Sequence, residues 1–461
     1  MNKRRGRAVR LPVLFLLWPA FLPPGQSSSF LEPPPAVKPL LKGNWPIAGR
    51  SPAVDLFRLP LDPIQVSAPP SGETPRRWTV WGQGTMDPET GLVYGAVGDH
   101  AGRDARIHMI VFDPRTKKIS LSPEINVFLG ARPGAFADGK IHGRLDFYGG
   151  PWLWFCTYWA KYPEPAAEDY ATGYRGGHIG RYNVRTGEIA DEGVPLPRVS
   201  WPSHVVDARR GRLYAAGHFG EFLAWDMKSK KVLFAGRPAP DRTWGNRVLL
   251  LDEKSGFVYS SNTSGSDPSC RLLRYDPAAN RIEIRPLPMP PDEKGERGPI
   301  RAHTSRRGPD GLFRGVTQNG ILFAFDPDKE TLTPCGACWP GRRRYTTAMA
   351  SSPGGRYLYY LPGAHGDSHL EGAPIVQYDV RLNRFKVLAF LGPSLLSKYG
   401  YLVGGTYSVV ADQGGGTLYI LMNGVFHDPA SAEPLPEQAF GDPVLLVVSI
   451  PEEERREGTE S

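Results

Sequence analysis

Residues 139–161 read Gly-Lys-Ile-His-Gly-Arg-Leu-Asp-Phe-Tyr-Gly-Gly-Pro-Trp-Leu-Trp-Phe-Cys-Thr-Tyr-Trp-Ala-Lys and hold a base, His142, a cation, Arg144, and a phenol, Tyr158. An imidazole and a phenol can pass a proton to and from a substrate, and a guanidinium can hold the anion on which the transfer acts. Whether they meet depends on the backbone. Residues 141–147 alternate, Gly149-Gly150-Pro151 is a turn signal and Trp152 to Thr157 is an apolar run, so the stretch is expected to form a β-hairpin. Side chains two residues apart on a strand share a face, which joins His142 to Arg144. The antiparallel return then carries Tyr158 to the rim where His142 begins.

The hairpin belongs to a series. A turn, a glycine and a short strand ending in an aromatic recur as Gly91-Leu-Val-Tyr94, Gly211-Arg-Leu-Tyr214, Gly256-Phe-Val-Tyr259 and Gly416-Thr-Leu-Tyr419, with variants at 150–154, 311–313 and 355–359. A second run follows each, often closed by Asp-Pro, as in Val111-Phe-Asp-Pro114 and Ala324-Phe-Asp-Pro327. Seven such units, with almost no amphipathic helical stretch, predict an all-β fold: a seven-bladed β-propeller with four antiparallel strands per blade over residues 77–450. A lone four-stranded sheet cannot bury both faces, whereas a ring of them can.

With strands A to D counted outward from the central channel, the D-to-A and B-to-C connections share one face and the A-to-B and C-to-D turns the other. The starts of the A strands carry Trp81, His142, His204, Asn246 with Arg247, Arg301 with His303, Tyr345 and Tyr407. The ends of the B strands carry His100, Tyr158 with Lys161, His218, Asn262, Gln318 with Asn319, His365 with His369, and Asn423. The site is therefore expected at that face of the channel. His142, Tyr158 and His204 are its candidate catalytic residues, and Arg144, Arg247, Arg301, His303, His178 and His218 its candidate substrate-binding residues. Each histidine alone reads more readily as an ordinary satisfied hydrogen-bonding group than as a catalyst.

His365-Gly-Asp-Ser-His369 lies in a glycine-rich insertion, and its two histidines and aspartate suit Zn or Mn; a solvated polar loop is the alternative. Of the four cysteines, Cys335 and Cys338 are expected to form a local disulfide and Cys156 to be buried packing.

Residues 1–28 carry five basic residues, an apolar stretch from Leu11 to Leu22 and a small-residue exit, the pattern of a secretory signal and too short for a confident membrane span. Its removal takes the formal charge from +8 to +3 (8 − 5), which leaves little support for nucleic-acid binding. Residues 29–76 are a proline-rich arm in which only 54–61 reads as extended, expected to dock on a blade edge, and 451–461 is a charged tail. The secreted or periplasmic protein is expected to have no stable membrane span.

The run Gly-Lys-Ile-His142 followed by an aromatic strand and Tyr158, then Gly176-Gly177-His178-Ile-Gly-Arg-Tyr182, resembles exported bacterial propellers related to polysaccharide lyases of the ulvan lyase type. More loosely it resembles oligogalacturonate lyase and virginiamycin B lyase. The resemblance implies a histidine and a tyrosine acting across a uronate, an arginine opposing its carboxylate, sometimes a metal, and cleavage of an acidic polysaccharide or oligosaccharide by β-elimination. His142 and His178 match its histidine positions, and Tyr158 stands where the aromatic strand ends. The arginine stays open among Arg144, Arg247 and Arg301. A non-catalytic propeller binding a glycan, small ligand or protein through the same face is the other reading.

Overall fold

The computed structural model describes residues 30–41, 43, 45–64, 77–159, 164–239, 243–245, 247–262, 270–428 and 434–456. The leader at 1–28, Lys161 and Asn246 lie outside them. The chain forms seven four-stranded antiparallel sheets in sequence order around a channel, a seven-bladed β-propeller.

Blade 3 is representative, with strands Ser203–Asp207, Arg212–Ala216, Phe222–Asp226 and Lys231–Gly236. Strand alternation sends neighbouring residues to opposite faces. Leu213 thus packs with Trp154 and Ile179 of blade 2, while Tyr214 packs with Val258 and Tyr275 of blade 4. The same division recurs at every blade boundary, including that between Tyr419 and Leu421 of blade 7 and Val97 and Phe112 of blade 1. The aromatics that mark the repeat are the bulk that fills these wedges.

Ring closure comes from the arm. Ala53–Arg58 is the outermost strand of blade 7 and pairs with Val444–Ser449 from Ala53↔Ser449 to Arg58↔Val444. Upstream, Ile47 bridges Val387 of the outer strand of blade 6, and Trp45 stacks on Phe385 with ring centroids 4.5 Å apart. The arm therefore laces blade 6 to blade 7 and covers edges that would otherwise be open.

Three expectations need correction. The hairpin at 141–147 is regular only at Asp146–Phe147, where Asp146 pairs with Trp154 and Phe147 with Leu153; beyond it Lys140 bridges Tyr158. Five residues, 141–145, thus face three, 155–157, and this bulge contains His142 and Arg144. A helix the sequence reading did not anticipate, Leu391–Tyr399, links blades 6 and 7 and stops at Gly400 with φ +64°. Finally, the four cysteines are free. Three residues apart near the end of an extended strand, Cys335 and Cys338 face different surroundings: Cys335 is half-exposed, whereas Cys338 is buried with its Sγ 3.3 Å from the Arg344 carbonyl oxygen. Among the described residues no helix is long and apolar enough to cross a membrane.

Candidate functional site

The two-residue bulge in the inner strand of blade 2 turns His142 into the channel. Its Nδ1 lies 2.8 Å from the carbonyl oxygen of Pro202, which only accepts, so Nδ1 carries the proton. Nε2 is left to accept from Arg247 Nη1 at 2.9 Å. The imidazole is thus held neutral, and burial, then Arg247, Lys140 and Arg301, push its pKa well below the usual value. With both nitrogens engaged, His142 positions Arg247 and is not a base in waiting.

Arg301 stands across the channel, 3% exposed. Its Nε donates to the Tyr345 hydroxyl at 2.6 Å, and its guanidinium lies over the Tyr345 and Tyr407 rings, while its buried Nη2 has no hydrogen-bond partner. Among the described residues neither Arg247 nor Arg301 makes an ion pair. Lys140 adds a third cation, 4.5 Å from the Trp81 ring and 5.0 Å from that of Tyr158. Trp81 is wedged against Tyr407 and stacked on His142 and Phe440.

Tyr158, 1% exposed, belongs to a second group. Its hydroxyl is 2.8 Å from His218 Nδ1, and His218 Nε2 is 3.3 Å from Glu164 Oε1. Since the carboxylate only accepts, Nε2 donates to it and Nδ1 is free to take the phenol's hydrogen bond. The result is a phenol–imidazole–carboxylate chain beside His142, whose ring centroid is 5.7 Å from that of Tyr158.

Two residues along the inner strand from His142 the setting changes. Arg144 Nε pairs with Asp146 Oδ1 at 2.7 Å, and Asp146 Oδ2 accepts from the Val206 amide. His204 and His303 feel this pair's charges, and burial takes both imidazoles down to about 4. His204, 1% exposed, has the Trp154 backbone as a polar neighbour and no side-chain hydrogen-bond partner. Gly143 is required for its approach, because a Cβ there would stand 2.7 Å from His204 Nδ1.

The predicted residues therefore divide. His142, Arg247 and Arg301 gather with Lys140 at one level of the channel, with Tyr158 and His218 immediately behind. His204, His303 and Arg144 lie together at another level, where Asp146 already neutralises Arg144 and leaves Arg247 and Arg301 as the cations available to an anion. His178 does not join either group; its Nδ1 meets Asp191 of the outermost strand of blade 2 at 3.0 Å. His365 packs against Trp81, Tyr345 and Phe440, whereas His369 Nδ1 lies on the Val403 carbonyl, so the pair is not gathered on one point. Among the described residues no group of three or more His, Cys, Asp and Glu is arranged to hold a metal ion. Glu164 was missed, and nothing in its proline-flanked loop marks it. Lys140 was in view but not singled out, although it stands two residues before His142.

His142, Arg247 and Arg301 of the first level and Arg144, His204 and His303 of the second line one cavity of about 1250 Å³. No known protein family matches the chain, and no curated protein does. The likeness to the uronate lyases rests on the residues quoted for it.

Proposed function

We propose that the protein binds a carboxylate-bearing sugar, a uronate, between Arg247 and Arg301. The observation that carries this reading is the buried Nη2 of Arg301, which has no hydrogen-bond partner, while among the described residues no carboxylate pairs with Arg301 or Arg247. A buried guanidinium left short of a hydrogen bond is costly, and an anionic oxygen would satisfy it. Neutral His142 orients Arg247 without adding a competing charge, and the Tyr345 hydroxyl and the Tyr345 and Tyr407 rings hold the Arg301 guanidinium in place. The leader pattern at 1–28 supports a reading in which this binding occurs outside the cytoplasm.

The test is calorimetric titration with D-glucuronate and D-glucose. Binding of the first alone, weakened at least tenfold by Arg301→Gln, supports the reading. Equal binding of both sugars, or indifference to Arg301→Gln, refutes it.

A second reading is favoured by the Tyr158–His218–Glu164 chain. Its polarity lets His218 draw the phenol proton toward Nδ1, which readies Tyr158 to remove the proton beside a carboxylate held by the arginines. The cations would stabilise the enolate that develops, as β-elimination requires. Incubation with polyuronates, followed in the ultraviolet for the unsaturated product, decides it; Tyr158→Phe should abolish the signal while glucuronate still binds.

A further inference from the structure

The cavity that holds Arg247 and Arg301 has a direction. Its lining includes Pro88 of blade 1, Ala208 of blade 3, Glu253 of blade 4, Arg306 of blade 5, Pro353 of blade 6 and Gln413 of blade 7. All six are exposed, and all belong to the turns joining first and second strands. Among the described residues every exposed part of the lining comes from that end of the first strands. At the other end the lining is Trp81, His142, Arg301 and Tyr407, none of them exposed, with the Trp81 ring packed against Tyr407 and stacked on His142.

We infer that the uronate reaches Arg301 through the channel from the face of the first-to-second-strand turns, so that the ligand is a single acidic sugar or the end of an acidic chain and not an internal stretch of polymer. This rests on the carboxylate-binding reading above. A ligand that enters a passage walled at its far end leaves by the same opening, and a continuous chain cannot do so without folding back on itself. The route is itself polar. It passes Ser203 Oγ, which is buried and has no hydrogen-bond partner, and the buried imidazole of His204, which has no side-chain partner; both are in the lining. A neutral imidazole offers one donor and one acceptor there, which suits the hydroxyls of a sugar behind its carboxylate. Most ligand pockets bury the greater part of a small molecule among groups of this kind, and about 1250 Å³ is ample for one or two pyranose rings. The expectation from topology placed access on the opposite face, the one bearing the long connections; the exposed lining reverses it.

Two experiments test this on the full chain. In the first, glucuronate binding to wild-type protein is competed with polygalacturonate fractions of increasing length at equal mass. Competition should fall in proportion to the number of chain ends. Competition that follows total mass, whatever the length, overturns the inference. In the second, Ala208→Trp and Ala411→Trp are combined to narrow the opening, with circular dichroism to confirm folding. Glucuronate association measured by stopped flow should slow at least tenfold, and unchanged association overturns the inference. Failure of both, with glucuronate still bound in an Arg301-dependent way, would sink the route and leave the binding site standing. No glucuronate binding at all would sink the binding site as well.

Discussion

Acidification should weaken this protein by charging imidazoles that the fold keeps neutral, and His204 gives the effect a magnitude. Burial, opposed in part by Asp146 and reinforced by Arg144, takes its pKa from 6.5 to about 4. Between those values the unfolded chain binds the proton and the folded one does not, so the stability His204 contributes is complete above the unfolded value and is lost as pH falls. At about 1.4 kcal/mol per unit, the loss is about 2–3 kcal/mol by pH of about 4.5. That is a large share of the roughly 5–15 kcal/mol by which a folded domain is stable. Urea unfolding of wild type and His204→Gln at pH of about 7 and about 4.5 isolates the term, since His303, His142 and His100 remain in both proteins. The wild type should lose about 2–3 kcal/mol more than the variant over this range. Equal losses, or an imidazole titration of His204 by nuclear magnetic resonance between pH of about 6 and about 7, would refute the reasoning.

Trp45→Ala should cost about 3–5 kcal/mol, because the side chain is 9% exposed and fills the space between Phe385 and Trp339; a fall in melting temperature of less than a few degrees would mean that the arm does not lace the blades. Gly143→Ala should displace the His204 imidazole, whose Nδ1 the new Cβ would approach to 2.7 Å, and shift its resonance while leaving the far blades unchanged. Unreduced protein unfolded in denaturant should react with four equivalents of iodoacetamide, as the free state of Cys156, Cys270, Cys335 and Cys338 requires; a count of two would restore the 335–338 disulfide.

The ring of blades was legible because each repeat announces itself twice, by a glycine that opens the strand and by an aromatic that closes it. Both features serve the wedge between blades, as Tyr214 and Tyr259 do. The strand at 53–58 was legible for a simpler reason, being the only extended stretch in a proline-rich arm. The site was harder to read. That His142, Arg247 and Arg301 come together follows from their shared place at the starts of inner strands, and topology alone supplied it. The bulge at 141–145 has no mark in the sequence beyond Gly143, so the hairpin looked regular. The Arg144–Asp146 pair could have been read, since residues two apart on a strand share a face, and it would have removed Arg144 from the candidates for the substrate carboxylate. The partner of His218 could not: Glu164 reaches it from a different blade's loop. Nor could the direction of the channel, which depends on how Trp81, Tyr407 and His142 pack against one another.

The central claim is that Arg247 and Arg301 together hold a carboxylate, and a crystal structure of the protein soaked in D-glucuronate tests it most directly. The carboxylate should lie within hydrogen-bond distance of Arg301 Nη2 and of Arg247, with the Arg247–His142 hydrogen bond retained and the sugar hydroxyls directed toward Ser203 and His204. Glucuronate found elsewhere, with Arg301 Nη2 still without an anionic partner at saturating ligand, would contradict it.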